Sequence, residues 1–221
     1  MVEWFEGFKD LKRNPEEYQE YIAEIEARLA ATDDAYLQAH LSWSLRLERH
    51  EFENLRATRP QLAEQTFDGR LAFHGPKRTV HLYTPGAGHT SSDVILQLPL
   101  DDCAFIGDLG FFKTHPYLGS SLPEKWVATL ETLAASEYET FVPGHGPVGD
   151  KDDLLALKEY IQTLQELASD VVKRGGSEDD AAAQPVPEFS SQWAGLGRFE
   201  RSMRFLYQRL AEPDQEGPEN E

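Results

Sequence analysis

Between Arg59 and Gly176 the chain alternates short apolar runs with clusters of Gly, Pro and Asp, and no other feature constrains its fold as strongly. Leu71-Ala72-Phe73, the run Thr79 to Tyr83, the run Val94 to Leu98 and the run Cys103 to Ile106 are too short for helices. They read as strands joined by tight loops. A helix is predicted over 122–136, with Trp126, Leu130 and Leu133 on one face, followed by a short strand at Thr140-Phe141-Val142. A long helix is predicted over 150–174, because Leu154, Leu157, Ile161, Leu164, Leu167 and Val171 recur at helical spacing. Lys173-Arg174 suit its last turn, and Gly175-Gly176 end it. Strands and helices in this order predict an α/β domain whose sheets are covered by helices.

The flanks have a different texture. Residues 1–57 read as helical: Asn14 can cap a helix with Pro15 at its first position and Glu16-Glu17 in its first turn. Tyr18, Ile22, Ile25 and Leu29 then follow at helical spacing. Asp33-Asp34 can cap a second helix carrying Tyr36, Leu37, Leu41, Leu45 and Leu47, and its many charges read as a solvated face. After the long helix, 177–187 reads as an Ala/Asp/Pro linker and 189–211 as an amphipathic helix with Phe199, Met203, Phe205, Leu206 and Leu210. The acidic stretch 212–221, with two prolines, reads as a disordered tail.

Composition narrows the function classes. Of 221 residues 40% are hydrophobic and 11% aromatic, which excludes wholesale disorder. No apolar run reaches the ~18 residues of a membrane span. The formal charge of −18 argues against a basic nucleic-acid face and against docking on anionic membranes. It reads first as ordinary solubility, with a salt-adapted cytoplasm as the less favoured alternative. One cysteine, Cys103, excludes a disulfide framework and a Cys-based zinc finger. Lying in an apolar strand, Cys103 is expected to pack in the core and not to act as a nucleophile. The first residues lack the basic and apolar regions of a signal peptide, so the expected location is cytoplasmic.

Three short segments carry residues suited to chemistry. Gly86-Ala87-Gly88-His89-Thr90-Ser91-Ser92-Asp93 is a loop between two predicted strands, where glycines leave the imidazole uncrowded. In Phe105-Ile106-Gly107-Asp108-Leu109 a carboxylate ends an apolar strand, where it needs a cation or strong donors. In Val142-Pro143-Gly144-His145-Gly146-Pro147 a second histidine ends a strand inside a rigid turn. Two imidazoles and a carboxylate at strand ends can converge on one edge of a sheet. Such donors suit Zn²⁺, and also Fe or Mn, and a carboxylate can bridge two ions about 3.5–4 Å apart.

In this order, the three segments resemble the C-terminal half of the metallo-β-lactamase fold superfamily of metallo-hydrolases. The resemblance runs over about residues 67–147 and rests on Gly88-His89-Thr90 with Asp93, Gly107-Asp108-Leu109 and Val142 to Pro147. It implies a partial αββα sandwich, a C-terminal sheet with flanking helices, preceded by N-terminal helices. It further implies that His89 is a ligand of a first metal, that Asp108 bridges two metals and acts as the catalytic carboxylate, and that His145 is a ligand of the second. Thr90 and Asp93 would orient the His89 loop, and Gly144 and Gly146 would let the backbone pass close to the site. The implied cofactor is zinc, two ions in a complete site, and the implied substrate a small molecule. By this reading residues 1–57 form a lid or cleft wall, 58–176 the C-terminal half of the core, 177–211 a linker and helix, and 212–221 a tail.

The resemblance is incomplete. The superfamily's main metal motif, H-x-H-x-D-H, is absent, since none of the seven histidines lies two residues from another. One carboxylate and two imidazoles remain for two metals, which leaves each ion one imidazole and a share of the carboxylate where three protein ligands are usual for a catalytic zinc. The first β-rich half of the sandwich also lacks a counterpart, which would leave apolar sheet faces and edges open. Three explanations stand open at this point: a hydrolase truncated at its N-terminus, a short protein completed by a second chain or a homodimer, and a degenerate, non-catalytic binding or dimerisation module. His40, His50, His74, His81 and His115 match none of the motifs and are expected to be structural or surface residues.

Overall fold

The computed structural model describes residues 15–33, 35–57, 63–119 and 121–211. The chain divides into two compact units, Met1–Thr66 and Phe67–Glu221.

In the first unit, helix α1 (Pro15–Ala31) and helix α2 (Ala35–Ala57) follow the predicted apolar spacing. Ile22 and Ile25 of α1 close on Leu41 and Leu45 of α2, with Leu29 and Phe52 alongside. Arg49 pairs with Glu26 across the two helices. Leu47, expected on the apolar stripe, is 39% exposed: it lies two residues beyond Leu45, on another face of the helix. The predicted caps Asn14 and Asp34 lie outside the described residues, as does the acidic tail.

The second unit is built on a five-stranded sheet in the order β1-β2-β3-β4-β5. Its strands are β1 (Arg70–His74), β2 (Thr79–Tyr83), β3 (Ile95–Leu98), β4 (Cys103–Phe111) and β5 (Thr140–His145). The first three pairings are antiparallel and the last is parallel. A parallel pair needs a crossover, and helix α3 (Pro123–Ala134) supplies it. Helix α4 (Lys151–Lys173) follows β5, then a short helix α5 (Glu178–Ala182) and helix α6 (Gly197–Ala211).

The two faces of the sheet differ. Ile95, Ala104, Ile106 and Phe141 are all but inaccessible and form one core with Trp126, Leu130 and Leu133 of α3 and Leu154, Leu157, Ile161 and Leu164 of α4. Each such large apolar side chain contributes roughly 1.5–3 kcal/mol on burial. Phe199, Met203 and Leu206 of α6 extend this core. On the opposite face, strand register aligns Leu71, Leu82, Leu96, Phe105 and Val142 in one row across all five strands. Phe73, Val80, Leu98 and Cys103 belong to the same face. None of these nine is charged and none is buried; Phe73 is 54% and Phe105 43% exposed. Cys103 is therefore half-buried on an open face and not packed in the core as expected, because the strand's alternation assigns the helix-covered side to Ala104.

Two further expectations change. The helix read over 189–211 begins at Gly197. Residues before it form a single 3₁₀ turn (Glu188–Ser190) and an irregular, turn-rich segment in which Ala194 bridges Thr114. The stretch read as a linker holds α5, whose Ser177 and Asp180 form a reciprocal capping box. That box is legible as S-x-x-D, but Ala and Pro content masks it.

Candidate functional site

His89 sits in the loop joining β2 to β3, and the loop's own side chains set its shape. The Thr90 hydroxyl donates to Asp93 Oδ1 at 2.8 Å, and the Thr90 backbone N–H donates to the same carboxylate. The Gly88 N–H donates to the Thr90 carbonyl, and the Gly88 carbonyl accepts from Leu122 N–H, tying the loop to the start of α3. The His89 ring meets Trp126 edge-on, with ring centroids 5.2 Å apart. Trp126 is itself fixed, because its indole N–H donates to the Leu109 carbonyl at 3.0 Å.

Asp108 lies within β4, where the β4–β5 register shifts on either side of Gly107. Gly107 is left-handed, with φ of 52°. Such a bulge re-aims the next side chain, and the Asp108 carboxylate stands half-exposed at 46% in a strand that is otherwise apolar. His145 ends β5, and its carbonyl accepts from the Phe112 N–H at 2.9 Å.

These three side chains come together. Asp108 Oδ2 lies 4.0 Å from His89 Nδ1, and Asp108 Oδ1 lies 3.6 Å from His145 Nε2. Each carboxylate oxygen therefore faces a different imidazole. The two gaps exceed a direct hydrogen bond. They are slightly wider than the ~3.3 Å edge of a tetrahedron with zinc–ligand bonds of about 2.0–2.1 Å. Burial lowers the His89 pKa, with the Asp108 and Asp93 carboxylates acting in the opposite direction and His145 adding to the depression. A neutral imidazole is the form that binds a metal.

Glycine is required beside this carboxylate. A Cβ on Gly144 would collide with Asp108 Oδ1 and approach the Gly107 carbonyl carbon to 2.9 Å. Gly146, with φ of 98°, passes so close to the Phe112 carbonyl that no side chain fits. The donor set is nonetheless short. Among the described residues no group of three or more His, Cys, Asp or Glu is arranged to hold one metal ion. The carboxylate and the imidazoles suit part of a two-metal site, one imidazole and one carboxylate oxygen on each side, and do not suffice for a catalytic metal on their own.

The model of one protein family, the metallo-beta-lactamase superfamily, matches residues 9–145. The chain belongs to the metallo-beta-lactamase superfamily. Solved structures similar to this superfamily member include a metallo-beta-lactamase from Pontibacter korlensis, at 27% identity over 44% of this chain and 47% of that one, TM-score 0.41. The DIM-1 metallo-beta-lactamase matches at 24% identity over 52% and 54%, TM-score 0.41. TMB-1 matches at 23% identity over 47% and 49%, TM-score 0.41. The chain spans about half the length of these structures. No curated protein matches it. A mixed sheet flanked by helices is what a partial sandwich of this superfamily presents.

The other histidines fall away from the cluster. His74 is exposed and bonds the Thr79 hydroxyl at 3.1 Å; His50 is exposed; His81 pairs with Ala72 and Gln97, on the opposite face from Val80 and Leu82. The His40 side chain lies outside the described residues. His115 is fully buried, with Nδ1 2.7 Å from the Tyr160 hydroxyl and Nε2 without a hydrogen-bond partner. Sequence reasoning missed two residues against the cluster. Phe111 stacks on His145, and Trp126, expected only as a core residue, touches His89. Neither carries a chemical signal; only their distance from Asp108 and from the start of α3 could have pointed to them.

Proposed function

We propose that the chain is the C-terminal part of a metal-dependent hydrolase and supplies half of a two-metal site. In this reading His89 is a ligand of one ion, His145 of the other, and Asp108 bridges them and is the catalytic carboxylate. The single observation that carries it is the Asp108 carboxylate, with its two oxygens turned toward two different imidazoles at 4.0 and 3.6 Å. Bound zinc would lower the pKa of a coordinated water to about 7. The chain's own residues orient that chemistry. Thr90 and Asp93 hold the His89 loop, the Gly107 bulge turns Asp108 outward, and Gly144 leaves the room its carboxylate needs. The remaining ligands come, on this reading, from polypeptide outside these 221 residues. The substrate is a small molecule.

A second reading is a degenerate member that has kept the fold as a binding or dimerisation module. The short donor set among the described residues favours it. Zinc titration by calorimetry separates the two. Weak binding that is lost in Asp108→Ala and weakened in both His89→Ala and His145→Ala supports the half-site. Zinc binding that survives Asp108→Ala, or no zinc binding at all, removes the hydrolase reading for this chain.

A further inference from the structure

The two imidazoles come from a loop and a strand end far apart in sequence, and no described hydrogen bond holds either ring; one apolar side chain touches both. The Phe111 ring stacks on His145 with centroids 4.5 Å apart and planes 21° from parallel. The same ring lies 5.6 Å from the His89 ring. Phe111 has little freedom. It is 2% exposed, Trp126 packs against it at 6.1 Å, and the Arg198 guanidinium of α6 lies 6.0 Å from its centroid. Its backbone pairs with His145 in the sheet, and the Phe112 N–H donates to the His145 carbonyl. A ring so enclosed fixes the ring stacked on it, since two stacked aromatic faces attract beyond the area they bury.

We propose that Phe111 is a positioning residue of the site, a flat apolar wedge that holds the His89 and His145 imidazoles on the two sides of the Asp108 carboxylate before any ligand arrives. This rests on reading the three polar residues as a half-site, but the wedge itself is a property of the free protein. A branched aliphatic side chain could fill the volume. It could not offer a plane to His145, so shape and not bulk is the property at stake.

The test compares the 221-residue chain with its Phe111→Leu and Phe111→Tyr variants. In the native chain the His145 Cε1–H resonance should lie upfield of exposed His50, because it sits over an aromatic face. Phe111→Leu should lose that displacement and weaken zinc binding about tenfold or more. Phe111→Tyr, which keeps the ring, should retain both within error. Far-UV circular dichroism reports whether Phe111→Leu stays folded, and Phe111→Met replaces it if it does not. An undisplaced His145 resonance in the native chain overturns the proposal. So does a folded Phe111→Leu chain whose His145 signal and zinc affinity match the native ones. If the native chain binds no zinc, the half-site reading fails on that count, and the His145 resonance still decides the wedge.

Discussion

At the scale of single residues the site depends on what is missing as much as on what is present. Gly144 leaves its Cβ space to an Asp108 oxygen. Gly144→Ala should therefore destabilise the protein by about 1–3 kcal/mol, as overpacking does, and displace the carboxylate. A lower urea midpoint together with lost zinc binding would show both, and an unchanged midpoint would contradict the packing argument. His115 makes a different prediction. Burial, with the Arg198 charge adding to it, lowers its pKa below the ordinary 6.5. As pH falls through about 6.5 the unfolded chain takes up the proton first, so stability is full above that value and declines below it. His89 is shifted the same way. Urea midpoints at pH 7.5 and 5 should show the decline, and His115→Gln should make it shallower. The chemical identity of His89, Asp108 and His145 was legible because Gly and Pro punctuate strand ends around them. Phe111 was not, because an aromatic near the end of an apolar strand looks like any core residue until the register of β4 and β5 brings it beneath His145.

At the scale of elements, periodicity located α3 and α4 to within two residues and all five strands by their cores. Strand ends were read short. β4 runs on to Phe111 and β5 to His145, since β4, bulged and carrying Gly107 and Gly110, and β5, carrying Pro143 and Gly144, have lost the alternation that marks a strand. The start of α6 was misplaced for a tertiary reason. Residues 191–196 are held by backbone bonds between Ala194 and both Lys113 and His115, contacts that no local pattern announces. Helix α4 opens on a capping box in which the Asp150 side chain accepts from the N–H groups of Asp152 and Asp153. Asp150→Ala should cost about 1 kcal/mol, read as a shifted denaturation midpoint. Leu157→Ala, in the fully buried stripe of the same helix, should cost about 2–5 kcal/mol. The two variants together separate what the cap contributes from what the packed face contributes.

At the scale of the whole molecule, one sheet face is covered by α3 and α4 and the other presents nine uncharged, incompletely buried side chains. This second face was foreseen only through the family resemblance, since period-2 alternation is lost when both faces of a strand are apolar. Exposed apolar patches of this kind bind apolar dyes and partners. The native chain should enhance the fluorescence of an anilinonaphthalene dye, and a double variant of this cross-strand pair, Leu96→Lys with Phe105→Glu, should reduce the signal without lowering stability by more than about 1 kcal/mol. No helix among the described residues is long and apolar enough to cross a membrane. The open face also has a calorimetric consequence. Unfolding raises heat capacity because it wets apolar surface that the fold had kept dry, by about 12–15 cal/mol/K per residue in ordinary domains. Side chains that are already wet in the native state add nothing to that increment. Scanning calorimetry of this protein should accordingly give a heat-capacity step below the usual value per residue, with a flatter stability curve. A binding partner that covered the face would restore the missing step.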